Sequence, residues 1–472
     1  MENGNTLNNK KRKFQMPHIY VLLLGLILVC GILTWVLPAG SFDRVASEVT
    51  SRPVVVPGTY HTVERTPVGL FELFRCIYAG MMNAADVIMF LFVACAAIGL
   101  IISTGAFNGL VAGLLKVLKG KTRVVIIPIF ITLIGLVSST IGCFEEMFPF
   151  IPVFIGIAIA MGYDAMVGLG VVVLGTALGY SGAFMNPFTV GIAQGIAEVP
   201  VMSGAGFRII CHLAMIVVAS IYVSHYAMKV QADPTKSILY KESDMHVNGD
   251  AVSVENYTFG WREKAVLGVM LVGIIAIVYG TKKYGWFFEE LCAVFLIMGL
   301  VSSFIMGWSF NEIAEKVAKS FTDMAMACMI VGLARGILMV LEAGNIIDTV
   351  VYALSIPLGA LPRWLAAEAM LIVQTLLNFL IPSGSGQATV SMPIMTPLAD
   401  LLNIPRQIAV LAFQFGDGLS NIMWPTAMTP VICGVAGIKM EKWWKWFAPL
   451  FLMLIATQMV LIGVALAIGW GV

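Results

Sequence analysis

The sequence predicts an all-α membrane protein of two inverted halves, each with a re-entrant hairpin and a broken helix. Three observations predict it. The chain is 59% hydrophobic and only 12% charged, where soluble domains carry about 25% charged residues. Apolar runs long enough to cross about 30 Å of hydrocarbon recur along its 472 residues. Two of the longest runs are interrupted midway by small and polar residues, and the order of these features repeats. The net charge of +1 says nothing about partners, no long basic patch points to nucleic acid, and no nucleic-acid partner is expected. The eight cysteines form no CxxC and no metal-ligand spacing with histidine, so they are read as packing residues.

The N-terminus opens on Lys10, Lys11, Arg12 and Lys13, followed by an apolar core from His18 to Leu37. That core exceeds the roughly 7–15 residues of a signal peptide, and no small-residue cleavage site follows, so 17–37 is read as an uncleaved first span. Single spans are predicted at 84–103, 207–228, 263–280, 286–308, 324–342 and 447–471. Spans broken in the middle are predicted at 165–199 and 405–437. Segments 123–163 and 363–403, interrupted by "SSTIGCFEE" and "PSGSGQATVSMP", are the two hairpins. The polar stretch 229–262 links a first half, 1–228, to a second, 263–472.

Lysine and arginine in short loops stay on the cytoplasmic side. If neither hairpin crosses, the first basic cluster falls inside, as do Lys116, Lys119, Lys121, Lys229, Lys236, Lys241, Arg262, Lys264, Lys439, Lys442 and Lys445. The N-terminus is then cytoplasmic in a plasma membrane, of the bacterial inner-membrane kind. Lys282 and Lys283 fall outside, against the rule, as do the arginines of the long 38–83 segment, which the rule governs weakly. The glycosylation-like Asn256-Tyr-Thr is discounted because the linker is inside.

The repeat lies in the order of features. "GLFELFRCIYAGMMNAADVIMF" (69–90) and "WSFNEIAEKVAKSFTDMAMACM" (308–329) are both an amphipathic lead-in followed by a span. Gly105 then stands opposite Gly344, Arg123 opposite Arg363, Pro152 opposite Pro393 and Gly175 opposite Gly416. An odd number of crossings separates the equivalent spans, so the halves insert upside down. Inverted repeats with broken helices at matching positions are the pattern of secondary transporters.

Non-helical backbone survives at membrane depth only where protein or water surrounds it. The sequence predicts four such breaks, at 138–146, 179–187, 383–389 and 416–421. Their hydroxyls, amides and carboxylates are the candidate substrate contacts: Ser138, Ser139, Thr140, Glu145, Glu146 and Asn186 in the first half, and Ser383, Gly384, Ser385, Thr389, Asp417, Ser420 and Asn421 in the second. A carboxylate at mid-membrane costs about 2.5–3.5 kcal/mol even on the lenient scale, so Glu145, Glu146 and Asp417 need a cation, a proton or water. The plainer reading of the two glutamates is a wet tip where they cap a helix. Arg335, mid-span, pairs with a substrate carboxylate or forms a structural salt bridge. Glu289, Glu290 and Glu368 are read as solvated or structural. Asp86 and Asp323 offset helix dipoles, and His212 is a packed residue. Trp443, Trp444 and Trp446, beside lysines, are read as an interfacial anchor.

With these motifs, notably "NFLIPSGSGQATVSMPIMTPLADLLNIPRQ" and "QFGDGLSNIMWPT", the whole chain resembles the YfcC branch of the DcuC-like transporters, in the ion transporter superfamily of elevator-type carriers. The resemblance implies a scaffold, a mobile transport domain holding substrate between hairpin tips and broken helices, and a homodimer. Carried over by position, it implies that Ser383, Gly384, Ser385, Thr389, Asp417, Ser420 and Asn421 contact substrate or cation. The first tip departs from the Ser-Asn-Thr of dicarboxylate carriers, showing Ser-Ser-Thr and then Glu-Glu.

The acid-rich centre suits a guanidinium or ammonium group, so the expected function is exchange of basic amino acids of the arginine/ornithine kind, by alternating access. The alternative is a C4-dicarboxylate carrier whose acids serve sodium or proton coupling. No cofactor is expected, and which residues would hold sodium stays open. An intramembrane enzyme is disfavoured because Ser383 and Ser385 have no histidine or lysine nearby in the motif. A channel would need a continuous polar pore rather than isolated breaks. The expected partners are a small-molecule substrate, the bilayer and a second copy.

Overall fold

A computed structural model describes residues 17–46, 53–107, 109, 120–240 and 260–471. Lys10 to Lys13, Lys116, Lys119, Lys241 and Asn256, on which parts of the orientation argument rest, lie outside the described residues. Among the described residues, eight helices are long and apolar enough to cross a membrane.

The chain runs α1 (Ile19–Val36), α2 (Leu70–Asn83), α3 (Ala85–Ser103), α4 (Ile126–Ile141), α5 (Ile151–Ala160), α6 (Ala165–Ser181), α7 (Ile192–Ile196) and α8 (Ala205–Ala232). After the linker come α9 (Trp261–Tyr284), α10 (Phe288–Met306), α11 (Phe310–Ala343), α12 (Ile347–Ser355), α13 (Arg363–Leu380), α14 (Gly384–Leu401), α15 (Arg406–Ser420), α16 (Thr429–Ala436) and α17 (Met440–Ala467). Seven of the expected single or first spans are continuous helices, and 165–199 and 405–437 are broken as expected. The eighth long apolar helix is the first arm of the first hairpin, Arg123–Ile141. Between α1 and α2 the chain forms two small antiparallel ribbons, Gly40–Ser41 with His61–Thr62 and Arg44–Val45 with Val54–Val55, which the all-α reading does not contain.

The helices sort into two bodies. In the first, α1, α2 and α3 pack on α11, α10 packs on α3, and α9 on α10. The α2–α11 contact is close because it is lined by glycine: a Cβ on Gly80 would lie 2.4 Å from the Gly336 amide nitrogen. Small residues are how membrane helices approach without hydrocarbon between them. In the second body, α4 and α5 both pack on α6, while α13 and α14 both pack on α15. Each hairpin therefore straddles the broken helix that follows it. α6 packs on α15, α8 joins α4 and α6, and α17 closes against α8, α13 and α15. The bodies meet where α16 touches α11 and where residues 145–150 touch α3.

The halves differ at their lead-ins. In the first, Asn83, a poor helix former, ends α2, and Ala84 turns out of helical geometry (φ −97°, ψ 7°). In the second, lead-in and span fuse into the 34-residue α11, started by a capping box in which Ser309 and Glu312 bond each other's backbone.

The breaks are shorter than predicted and displaced. α4 continues through Ser138, Ser139 and Thr140 to Ile141, and the chain leaves it at Gly142, whose φ of +87° is left-handed. α6 continues to Ser181, α14 begins at Gly384, and α15 runs unbroken through Gly416, Asp417 and Gly418. Most of these glycines serve close approach rather than turning. A Cβ on Gly179 would meet the Gly135 carbonyl oxygen at 2.4 Å, and one on Gly418 would meet the Ser181 backbone at 2.4 Å.

The second broken span opens after α15, at 421–428, and this overturns the reading of the tryptophans. Trp443 and Trp446 are buried. The indole N–H of Trp443 donates to the Ile422 carbonyl (2.8 Å) and that of Trp444 to the Met423 carbonyl (2.7 Å). They fill bonding needs of the broken backbone, which cannot be left open at depth. His212 is packed as expected, with Nδ1 3.3 Å from the Leu178 carbonyl.

Candidate functional site

Gly142 ends α4 and lets the chain turn into a short 3₁₀ segment, Glu145–Phe150, which carries both glutamates in its first turn. The Phe144 amide donates to Glu146 Oε2 (2.7 Å), so Glu146 is held against its own turn. In the second hairpin Leu380 ends α13, and Ser383 caps α14, its Oγ accepting from the Gly386 amide at 3.4 Å. The first amides of α14 then face outward at Gly384 and Ser385, the positive end of a helix.

Both tips open on one cavity of about 250 Å³. The first hairpin contributes Gly142, Phe144, Glu145 and Glu146, and the second Pro382, Ser383, Gly384 and Ser385. Tyr180 and Phe188 come from the first broken span, Asn421 and Met428 from the second. The far wall belongs to the first body: Asn83, Asp86 and Val87 at the α2–α3 junction, Phe287 and Phe288 before and in α10, and Arg335 in α11. Three carboxylates, one guanidinium and five aromatic rings thus share one small space.

Asp417 lies behind the second tip, fully buried. Asn378 Nδ2 donates to its Oδ1 (2.9 Å) and to Asn421 Oδ1 (3.3 Å), and Asn421 Nδ2 donates to the Asp417 carbonyl (2.9 Å). Asp417 Oδ2 and Asn378 Oδ1 have no hydrogen-bond partner among the described residues. A Cβ on Gly384 would stand 2.9 Å from that Oδ2, so only glycine lets the α14 N-terminus sit against the acid. Asn186 also backs the cavity: its Oδ1 accepts from the Phe188 amide (2.8 Å) and would lie 2.5 Å from a Cβ on Gly142.

The other candidate hydroxyls turn away. Ser138 donates to the Thr176 carbonyl (2.9 Å), Ser139 to Leu136 (3.0 Å), Thr140 to Leu136 (2.7 Å), Ser420 to Gly416 (2.5 Å) and Thr389 to Gly386 (2.8 Å). Because the helices extend further than predicted, these side chains bond their own or a neighbouring helix. Asn83, Tyr180, Asn378 and the phenylalanines were not among the candidate contacts read from the sequence, and Asp86, read there as offsetting a helix dipole, lines the cavity as well. A signal existed for Asn378, an amide in the apolar run just before the second interruption.

Glutamines tie the second hairpin together. Gln387 Nε2 donates to Gln374 Oε1 (2.7 Å) and the Gln374 carbonyl (2.9 Å), and Ser391 donates to Gln374 Oε1 (3.1 Å). Gln414 donates to the Tyr180 carbonyl and to Thr189 (3.0 Å), linking the two broken spans. Among the described residues no three of histidine, cysteine, aspartate and glutamate cluster as a metal would require.

The family model described as DcuC, C4-dicarboxylate anaerobic carrier, matches residues 16–467. YfcC of Escherichia coli, provisionally named a basic amino acid antiporter, is 31% identical over 500 residues, covering 98% of both chains. An uncharacterized protein of Haemophilus influenzae is 28% identical over 504 residues, covering 97% of this chain and 99% of its own. Among solved structures, MtrF of Neisseria gonorrhoeae aligns with a TM-score of 0.43 at 16% identity, over 95% of each chain. The YdaH transporter of Alcanivorax borkumensis aligns with a TM-score of 0.43 at 17% identity, over 96% of this chain and 99% of its own.

Proposed function

The chain belongs to the DcuC family of membrane carriers, and from that membership we propose that it is a secondary active transporter of amino acids with a cationic side chain, exchanging them by alternating access. The observation that carries the substrate class is the charge of the cavity: Glu145, Glu146 and Asp86 against Arg335. A guanidinium or ammonium group meets carboxylates and aromatic faces there, both of which favour cations. The α-carboxylate has the first amides of α14. A C4-dicarboxylate, the substrate in the family's description, has those amides and Arg335. It would leave the three carboxylates to be neutralised by sodium or protons, which makes that the second reading.

The two-body packing supports an elevator. The body of hairpins and broken helices slides, and the body of α1–α3 and α9–α11 stays. The matched straddling of α6 and α15 by their hairpins supports the division into inverted halves at 229–262 with both hairpins re-entrant. We place the carrier in a bacterial plasma membrane with its N-terminus cytoplasmic, as a homodimer. Candidate contacts are Glu145, Glu146, Ser383, Gly384, Ser385 and Asn421 at the cavity wall, with Asn186 and Asp417 behind it. Competition for labelled arginine uptake in proteoliposomes tests the substrate class. Ornithine and lysine should compete and succinate should not; competition by succinate alone would favour the dicarboxylate reading.

A further inference from the structure

Arg335 and Glu145 line one cavity from opposite bodies, Arg335 on α11 and Glu145 on the first hairpin tip. Opposite charges facing one cavity attract across the boundary. Both side chains are half-buried, where water screens a pair less than at a surface. A second acid, Asp86, lines the cavity from the same body as Arg335.

The geometry points to Arg335 as a built-in stand-in for the substrate, holding the two bodies together when the carrier is empty. This rests on the cationic-substrate and elevator readings above. An attraction that spans a sliding boundary must be lost before the bodies can shift. In the empty carrier, breaking it strands Glu145 without a counter-charge in a low-dielectric place, which is costly. A bound guanidinium or ammonium takes Arg335's place at Glu145 and travels with the second body. Arg335 is left to Asp86 on its own body, so no charge is stranded. Loaded carriers move and empty carriers stay, which is the condition for strict exchange. The α11 residue thereby governs whether transport is exchange or net flux.

The test is efflux of labelled arginine from proteoliposomes holding the full-length protein, into buffer with and without unlabelled arginine. In the wild type, efflux into arginine-free buffer should be slower by about tenfold or more, the rate equivalent of about 1.4 kcal/mol at the moving step. Arg335→Gln should bring the two rates within about threefold by speeding the empty return, a change of under about 1 kcal/mol. Arg335→Lys, which keeps the charge, should preserve the gap. Equal rates in the wild type overturn the proposal even if Arg335→Gln does not fold. An unchanged gap in a folded Arg335→Gln overturns the tether alone. Absence of arginine transport by the wild type in either mode overturns the substrate reading, and the tether with it.

Discussion

The two hairpin tips occupy matching places in the fold and carry opposite chemistry. The first leaves its helix through left-handed Gly142 and presents two carboxylates on a short 3₁₀ turn. The second leaves through Pro382, is capped by Ser383, and presents the neutral, amide-rich start of an 18-residue helix. One tip offers negative charge and the other helix-end amides, and the proposed zwitterionic substrate with a cationic side chain rests on that contrast. Equivalent backbone positions in a repeat bring the tips to one cavity, while the side chains set the charge of each wall.

The comparison breaks most visibly by charge. Glu145→Gln should lower arginine exchange by roughly 10–150-fold, the effect of losing a charged hydrogen bond of about 1.5–3 kcal/mol. Ser385→Ala, on the other tip, should cost less than about threefold in the same initial-rate assay. A larger loss from Ser385→Ala than from Glu145→Gln would reverse the assignment of the tips.

The backbone contrast predicts the next effect. Gly142→Ala forces a left-handed residue and drives its Cβ to 2.5 Å from Asn186 Oδ1; together these should cost roughly 2–5 kcal/mol. Gly384→Ala meets the Thr189 methyl at 2.6 Å without backbone strain, and overpacking alone should cost about 1–3 kcal/mol. Thermal unfolding of the purified variants in detergent should rank Gly142→Ala below Gly384→Ala.

The arms of the second hairpin are tied by side chains through Gln374, so Gln374→Leu should destabilise by about 1 kcal/mol for the Ser391 hydroxyl that it strands, while Gln387 keeps its bond to the main-chain carbonyl at 374. It should also raise the KM for exchange more than it lowers the maximal rate, because the spacing of the tip changes. Unaltered unfolding and KM would remove the clamp from the account. The smallest effect belongs to Ser383→Ala, since the cap bond is long at 3.4 Å. A loss of about 0.5–1 kcal/mol in the same unfolding measurement is expected.

The spans were legible because about twenty apolar residues in a row have few other uses, and the helices from Ile19 to Ala467 fall where those runs lie. The broken spans were legible as runs that glycine and proline interrupt. The edges of the breaks were not. A glycine in an apolar run reads as a turn, but at Gly179, Gly416 and Gly418 it provides helix-to-helix contact that only the fold reveals. That displacement carried Ser138, Ser139, Thr140 and Ser420 back into helices, whereas Glu145, Glu146, Ser383, Gly384, Ser385 and Asn421 reached the cavity. Asp86 and the phenylalanine wall come from elements far away in sequence, and local patterning holds no trace of that meeting. Trp443 and Trp444 illustrate the same limit. Their lysine neighbours pointed to an interface, and the carbonyls they serve lie 21 residues upstream.

The central claim is that this carrier's cavity selects a cationic amino acid. The most direct measurement is initial uptake of labelled arginine into ornithine-loaded proteoliposomes, set beside labelled malate into succinate-loaded ones, with and without a sodium gradient. The account predicts arginine uptake that depends on internal ornithine, with no malate entering. Malate uptake driven by the sodium gradient, with no arginine entering, would contradict it and reassign Glu145, Glu146 and Asp86 to ion coupling.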